Sequence, residues 1–350
     1  MRKKRLCILA VLLLFAVSLL TGCASQASDT SGDTTATTET ADTQVWNVAV
    51  IQTEDHPQTQ AVIKMGELFS EKTNGRYKFN VYPNELLGPQ RETLEQVQYG
   101  VIEMAVIGNP NISSFVDGFL TFEMPYLFDD VAEQKQFFDT SSAVSDLYDQ
   151  TEQYNFKIAT YLTAGTRNMY SSKPIQTLDD LKGMKIRTAE SETYSQMMQA
   201  LGGSATPMSM GEVFTAIQSG VVDGAENNEA SYANSKHYEI APYYSYTKHL
   251  TVPDFLIVGT DVYNSLSDED KQAFNEAAQE AAEYEYELWD DYTAEALKTV
   301  EDGGATIITD VDTESMKEAV KKVQENMTQN AEVKKIYDAV QASKQENSNE

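Results

Sequence analysis

Two cysteines, three histidines and 26 basic residues in 350 positions are what this sequence has least of, and each scarcity removes a class of function. Cys7 lies in an apolar leader, so Cys23 is the one thiol expected in the exported chain; an intrachain disulfide or a cysteine-based metal site is excluded. His56, His237 and His249 are far apart and show no metal-ligand spacing. No Gly-x-Ser-x-Gly elbow, no glycine-rich phosphate loop ending in Lys-Ser/Thr and no His-Glu-x-x-His is present. Neither a cofactor nor a metal is expected. Basic residues are outnumbered by 54 acids, for a formal charge of −28. With no basic block beyond Arg2, Lys3, Lys4 and Arg5, the chain repels phosphate backbones, and nucleic acid is excluded as a partner.

What is present begins with an address. The basic cluster at positions 2–5 precedes an almost unbroken apolar run from Leu6 to Leu20 and then Thr21-Gly22-Cys23, the layout of a secretory signal over residues 1–22. The run falls short of the roughly 20 residues a spanning helix needs. Leu20-Thr21-Gly22-Cys23 resembles a bacterial lipobox, so Cys23 is expected to be lipidated and to anchor an extracytoplasmic protein to the cell membrane. Cleavage there leaves 22 basic residues against 54 acidic ones, or −32. Residues 23–44, rich in Ser, Thr, Asp and Ala, hold no aromatic or large aliphatic side chain and read as a tether with a reach of roughly 25 Å. The folded part is expected from Val45.

From Trp46 onward strand and helix patterns alternate. The spacing predicts strands at 46–50, 77–82, 103–107, 156–162, 184–187, 222–225 and 255–259, with helices at 59–73, 91–99, 193–201 and 211–218. Ser267-Asp268-Glu269-Asp270 resembles a capping box, and Phe274, Ala277, Ala278, Ala281, Leu288 and Tyr292 sustain a helical stripe over about 30 residues, roughly 45 Å of helix. The fold class is α/β, and in open α/β sheets ligands gather at the carboxyl ends of strands.

Two arginines stand at such ends. Arg167 follows a strand in Gly165-Thr166-Arg167-Asn168, and Arg187 closes Met184-Lys185-Ile186-Arg187. A guanidinium offers a planar fork of donors that fits a carboxylate and stays charged when desolvated. From spacing alone, either arginine could instead form a structural ion pair with one of the 54 acids.

The run Asp179-Asp180-Leu181-Lys182-Gly183-Met184-Lys185-Ile186-Arg187, followed by Pro207-Met208, Gly211-Glu212-Val213-Phe214 and Gly220-Val221-Val222-Asp223-Gly224-Ala225-Glu226-Asn227-Asn228, resembles the solute-binding proteins of tripartite ATP-independent periplasmic (TRAP) transporters. Tyr82-Pro83, Leu87-Gly88 and Pro125-Tyr126-Leu127-Phe128 fit the same family, and the resemblance extends from Trp46 to about Ala305. It implies a two-domain periplasmic-binding-protein-like fold with a ligand cleft, crossing strands and a long domain-spanning helix. Domain I is expected at 45–163 plus about 254–285, and domain II at 164–253 plus about 286–345. The family's carboxylate-binding arginine maps onto Arg187, a second ligand-facing arginine onto Arg167, and the asparagine of its Gly-x-Glu-Asn motif onto Asn227. Glu190, three residues after Arg187, is expected near a ligand hydroxyl. Asn109, in the turn after a strand, and His56, in the first strand-to-helix loop, are further cleft candidates; each reads equally well as a local structural residue. Tyr232 could stack on a sugar ring or pack in the core.

The doubled Asn227-Asn228, with Thr247-Lys248-His249 and Pro253, looks more like members that bind uronates and related sugar acids than like the smallest dicarboxylate binders. The expected function is capture of an organic acid, most of all a uronate, by an arginine clamp and hinge closure, with delivery to a TRAP permease. The alternatives are a C4-dicarboxylate binder of the same class and a ligand-sensing subunit for a membrane receptor. A secreted hydrolase using Glu190 with Glu226 is a more distant alternative.

Overall fold

The computed structural model describes residues 43–347. The leader, Cys23 and nearly all of the expected tether lie outside the described residues. The folded part starts slightly earlier than expected, since strand β1 (Gln44–Ala49) opens with the Gln44 amide donating to the Arg76 carbonyl, and the Thr43 hydroxyl donates to Gly75. Helix α1 (Pro57–Lys72) follows, with Pro57 in its first turn, where a missing N–H is harmless, and His56 as its N-cap. Strand β2 (Tyr77–Tyr82) returns parallel to β1, helix α2 (Gln90–Gln98) leads into β3 (Met104–Gly108), and β3 lies on the other side of β1.

The sheet then extends through two long strands, β4 (Phe156–Ser171) and β8 (Tyr243–Gly259), to a second set of β5 (Lys185–Thr188), β6 (Ser204–Pro207) and β7 (Gly224–Asn227), with β9 (Thr306–Ile308) added beside β8. The order is β2-β1-β3-β8-β4-β7-β5-β6 in a 9-stranded mixed sheet. At about 3.3 Å per residue, β4 and β8 each run roughly 50 Å. Sequence reading caught only the first-half stretch of each, because the register breaks between Thr163 and Thr166, where β8 supplies Pro253 and Thr251. Gly165 turns there through a left-handed φ of 66°, and the alternation that marks a strand is lost locally.

Between β5 and β7 come helices α3 (Glu192–Ala200) and α4 (Val213–Gln218). Helix α5 (Asp268–Asp302) is 35 residues long, about 52 Å. Ser267 caps it by accepting from the Asp270 amide; the Asp270 side chain turns instead to Arg76 and Tyr77. The first stretch of α5 buries Phe274, Ala277 and Ala281 against Trp46, Phe69 and Val258, while its last turns place Ala296 and Val300 with Tyr170, Tyr232 and Tyr244. The helix therefore joins two cores, as expected of a domain-spanning element. A further core in the first half gathers Phe119, Phe122, Phe137, Phe156 and Phe255, each worth about 1.5–3 kcal/mol of transfer free energy when buried. In the second half α3 and helix α6 (Thr313–Met327) contribute Met197, Met198, Met316 and Val320 to another.

One expectation needs correction. Residues 286–345 were assigned to the second domain, but helix α7 (Ala331–Asn347) sets Val333, Ile336 and Val340 among the phenylalanines of the first-half core. The Thr121 hydroxyl, donating to the Val333 carbonyl, fixes that return. Among the described residues no helix is long and apolar enough to cross a membrane.

Candidate ligand-binding site

Strand β5 delivers Arg187 one residue before its end, beside Ala225 of β7 and Thr206 of β6. The side chain is only 4% exposed. Nε and Nη2 both donate to the Met208 carbonyl, at 3.0 and 2.6 Å, and Nη1 points at Met210 Sδ at 3.9 Å. Among the described residues no carboxylate lies within ion-pairing distance of it. Burial lowers the Arg187 pKa, with Glu226 the main opposing influence. A desolvated guanidinium that faces a carbonyl and a thioether is short of anionic partners.

Asn227, last in β7, supplies the second donor. Its Oδ1 accepts from Arg167 Nη1 and from the Asn228 amide, while its Nδ2 reaches Met210 Sδ at 3.6 Å. Arg187 Nη1 and Asn227 Nδ2 thus converge on one sulfur, a weak acceptor. A carboxylate oxygen in that place would bind both donors more strongly.

Arg167 is built differently. Its Nε donates to Glu226 Oε2 at 2.5 Å and its Nη2 to Oε1 at 2.9 Å and to the Glu226 carbonyl at 3.0 Å. Burial opposes the charge on Arg167, but Glu226 outweighs it and raises the pKa. Burial likewise favours a protonated Glu226, yet Arg167 and His249 hold it down to about 2. Of the two readings left open for Arg167, the structural ion pair is the one found. Through Nη1, Arg167 also donates to Asn227 Oδ1 at 3.1 Å.

The remaining candidates separate. Asn228 is the N-cap of the helix Glu229–Asn234, accepting from the Ser231 amide and donating to the Ala164 carbonyl; both ends of its amide are engaged in the fold. Tyr232 is fully buried between Tyr170 and Tyr244 and donates to the Ala241 carbonyl, so it is a core residue and not a stacking platform. Glu190 is exposed and outside the buried cluster, though its charge acts on Arg187. Paired carboxylate chemistry with Glu226 is thereby removed, since one acid is in solvent and the other is neutralised. Asn109 donates to the Phe119 carbonyl and keeps a buried Oδ1 without a partner. His56 accepts at Nδ1 from the Gln58 amide, so Nε2 carries its proton; that nitrogen is buried without a partner, edge-on to Trp289 and Tyr292. Burial lowers the His56 pKa to about 3. Cys23 lies outside the described residues.

Sequence reasoning missed a polar seam where β4, β8 and α5 cross. Gln58 Nε2 donates to the Thr163 carbonyl at 2.9 Å and to Asp254 Oδ2 at 3.0 Å, and the Thr163 amide donates to Glu285 Oε2 at 3.2 Å. Asp254 and Glu285 are buried, which raises both carboxyl pKa values. Glu123, also buried and raised by burial, accepts from Ser113 of the first half and Ser191 at the start of α3. Glu226, Met208 and Ser191 stood in motifs that sequence reading singled out; Gln58 was one residue beyond His56-Pro57. Among the described residues no group of three or more His, Cys, Asp or Glu is arranged to hold a metal ion.

The model of the bacterial extracellular solute-binding proteins, family 7, matches residues 48–330. The chain belongs to that family. A solute-binding protein of Chromohalobacter salexigens is 33% identical over 270 residues, 77% of this chain and 80% of that one. A TRAP periplasmic solute-binding protein of Anaerococcus prevotii, solved with bound α/β D-glucuronate, is similar at 33% identity and a TM-score of 0.84, covering 87% of this chain and 99% of that chain. Another from Roseobacter denitrificans, with bound β-D-glucuronate, gives 32% identity and a TM-score of 0.82 over 85% of this chain and 99% of that chain. This family-7 protein is accordingly an extracytoplasmic solute-binding component of transport, and not an enzyme.

Proposed function

We propose that this solute-binding protein captures a uronate or closely related sugar acid, its carboxylate held by Arg187 and Asn227, and hands it to a TRAP permease. The observation that carries the reading is the convergence of Arg187 Nη1 and Asn227 Nδ2 on the Met210 sulfur, from a guanidinium with no carboxylate of its own. His56 Nε2, Asn109 Oδ1 and Gln58 Oε1 are buried polar atoms without partners. A polyhydroxy acid can satisfy such groups, and each buried polar atom left unpaired costs about 1–3 kcal/mol. The glucuronate-bound relatives support the same ligand class. A C4-dicarboxylate is the competing ligand.

Closure is assigned to the bulge at Thr163–Thr166 and to the middle of α5, where the two domains meet. A ligand that touches both halves favours the closed form; about 3–5 kcal/mol of differential binding is enough to shift a mostly open population. The exported chain is held at the membrane by lipidated Cys23, and a Cys23→Ser variant recovered in the membrane fraction would refute that anchor.

The test is thermal unfolding of the chain with glucuronate, galacturonate, aldonates and C4-dicarboxylates. A ligand at about 100 times its Kd adds roughly 2.7 kcal/mol, a shift of several degrees. Uronates are expected to give it. Arg187→Ala should weaken binding at least a hundredfold, and Arg187→Lys, which keeps the charge without the fork, should be nearly as weak. Stabilisation only by succinate-like acids, or tight uronate binding by both variants, would overturn the proposal.

A further inference from the structure

Two loops from opposite halves meet at Glu85 and Gly211. Asn84 and Glu85 follow β2 with consecutive left-handed φ values of 58° and 54°, a conformation that side-chain-bearing residues adopt against steric resistance. The bend carries the Glu85 carboxylate over the turn Met210–Glu212, where a Cβ on Gly211 would stand 2.6 Å from Glu85 Oε2. Only a glycine lets the two approach this closely. Next to Gly211 is Met210, the residue on which Arg187 and Asn227 converge. Glu85 is half-buried, and among its neighbours the Arg187 charge opposes the effect of burial on its pKa while Glu212 reinforces it.

The charge count at this place is unequal. Arg167 is neutralised by Glu226, so Arg187 is the one buried guanidinium of the cluster without a carboxylate. Around it stand Glu85, the exposed Glu212 on the same turn as Gly211, and the exposed Glu190 just beyond β5. One carboxylate of a ligand is matched by Arg187. At Glu85 the other charge acting beside Arg187 is that of Glu212, so a second carboxylate brought there meets like charge.

Building on the proposed binding of a sugar acid at Arg187, we propose that Glu85 sets the charge number of the ligand. It admits acids with a single carboxylate, uronates and aldonates, and repels those with two, aldarates and C4-dicarboxylates. Selectivity of this kind comes from a repulsive element against the competitor more than from extra attraction to the chosen ligand. The missing Cβ of Gly211 leaves room for the repelling group to lie over the turn.

The experiment compares glucuronate with glucarate, and galacturonate with galactarate, by calorimetric titration of the chain. The unsubstituted protein is expected to prefer each monoacid at least a hundredfold. Glu85→Gln, which keeps shape and loses charge, should narrow that ratio tenfold or more by raising affinity for the diacid. Gly211→Ala, which pushes the Glu85 carboxylate off the turn, should narrow it in the same direction. Raising ionic strength should narrow the ratio in the unsubstituted protein and less in Glu85→Gln, because only the former has the repulsion to screen. Uronate binding with equal affinity for the diacid, or a ratio unchanged in a folded Glu85→Gln variant, would overturn the role of Glu85 while leaving uronate capture intact. Failure of every sugar acid to bind would overturn both.

Discussion

Arg167 and Glu226 face each other side-on inside the protein, through Nε to Oε2 at 2.5 Å and Nη2 to Oε1 at 2.9 Å, and Asn227 Oδ1 accepts from the same guanidinium at 3.1 Å. The pair orients the amide that stands beside Arg187.

Breaking such a pair from one side leaves a buried charge alone, which costs about 3–5 kcal/mol. Glu226→Gln and Arg167→Met should each lower the melting temperature, by roughly 6–20 °C at about 2–4 °C per kcal/mol. The Arg167→Met/Glu226→Gln double variant should lose clearly less than the two single losses combined. Strict additivity in thermal unfolding would show that the two side chains do not depend on each other.

Glu285 gives a pH prediction with a definite sign. Burial raises its pKa, so the folded chain binds its proton more readily than the unfolded chain does. The stability it contributes is present below the ordinary carboxylate pKa and is lost as pH rises through the folded value. His56 and His237, lowered by burial to about 3 and about 4, work the other way and contribute above pH 6.5. Glu285→Gln keeps an acceptor for the Thr163 amide and removes the ionisation. Its advantage over the unsubstituted protein in denaturant unfolding should grow from pH 5 to pH 8; a constant difference would rule this out.

Gly165 occupies the irregular step of β4, and a Cβ there would lie 2.6 Å from Trp289 Cζ2 and 3.1 Å from Asn228 Cβ. Gly165→Ala should destabilise by about 1–3 kcal/mol through overpacking and the left-handed backbone. Trp289→Phe in the same chain should recover part of that loss by making room. If chemical denaturation finds no recovery, the clash with Trp289 is not the cause.

Helices α1 to α5 and strands β1, β2, β3, β5 and β7 were readable from their apolar patterns, with α1, β2 and α5 close to their observed bounds, whereas α6, α7, β6 and β9 were not. The later part of β4 and the earlier part of β8 were hidden because residues such as Thr166, Arg167 and Lys248 interrupt the apolar pattern where a strand passes from one core to another. Arg187 was singled out from its strand end and family likeness together, and Asn227 from family likeness alone. The partner of Arg167 could not be read, since one acid among 54 is chosen by β4–β7 pairing and not by local spacing. The partners of Tyr232 and Asn228 were unreadable for a related reason: a polar atom shows its partner only when distant backbone, such as the Ala241 or Ala164 carbonyl, is brought to it.

The return of α7 to the first-half core completes a route in which the backbone passes between the halves in β4, in β8, in α5 and after α6. Neither half is a continuous stretch of polypeptide, so neither can be cut out, swapped or expressed as a fragment. The halves must be made, folded and unfolded as one cooperative unit.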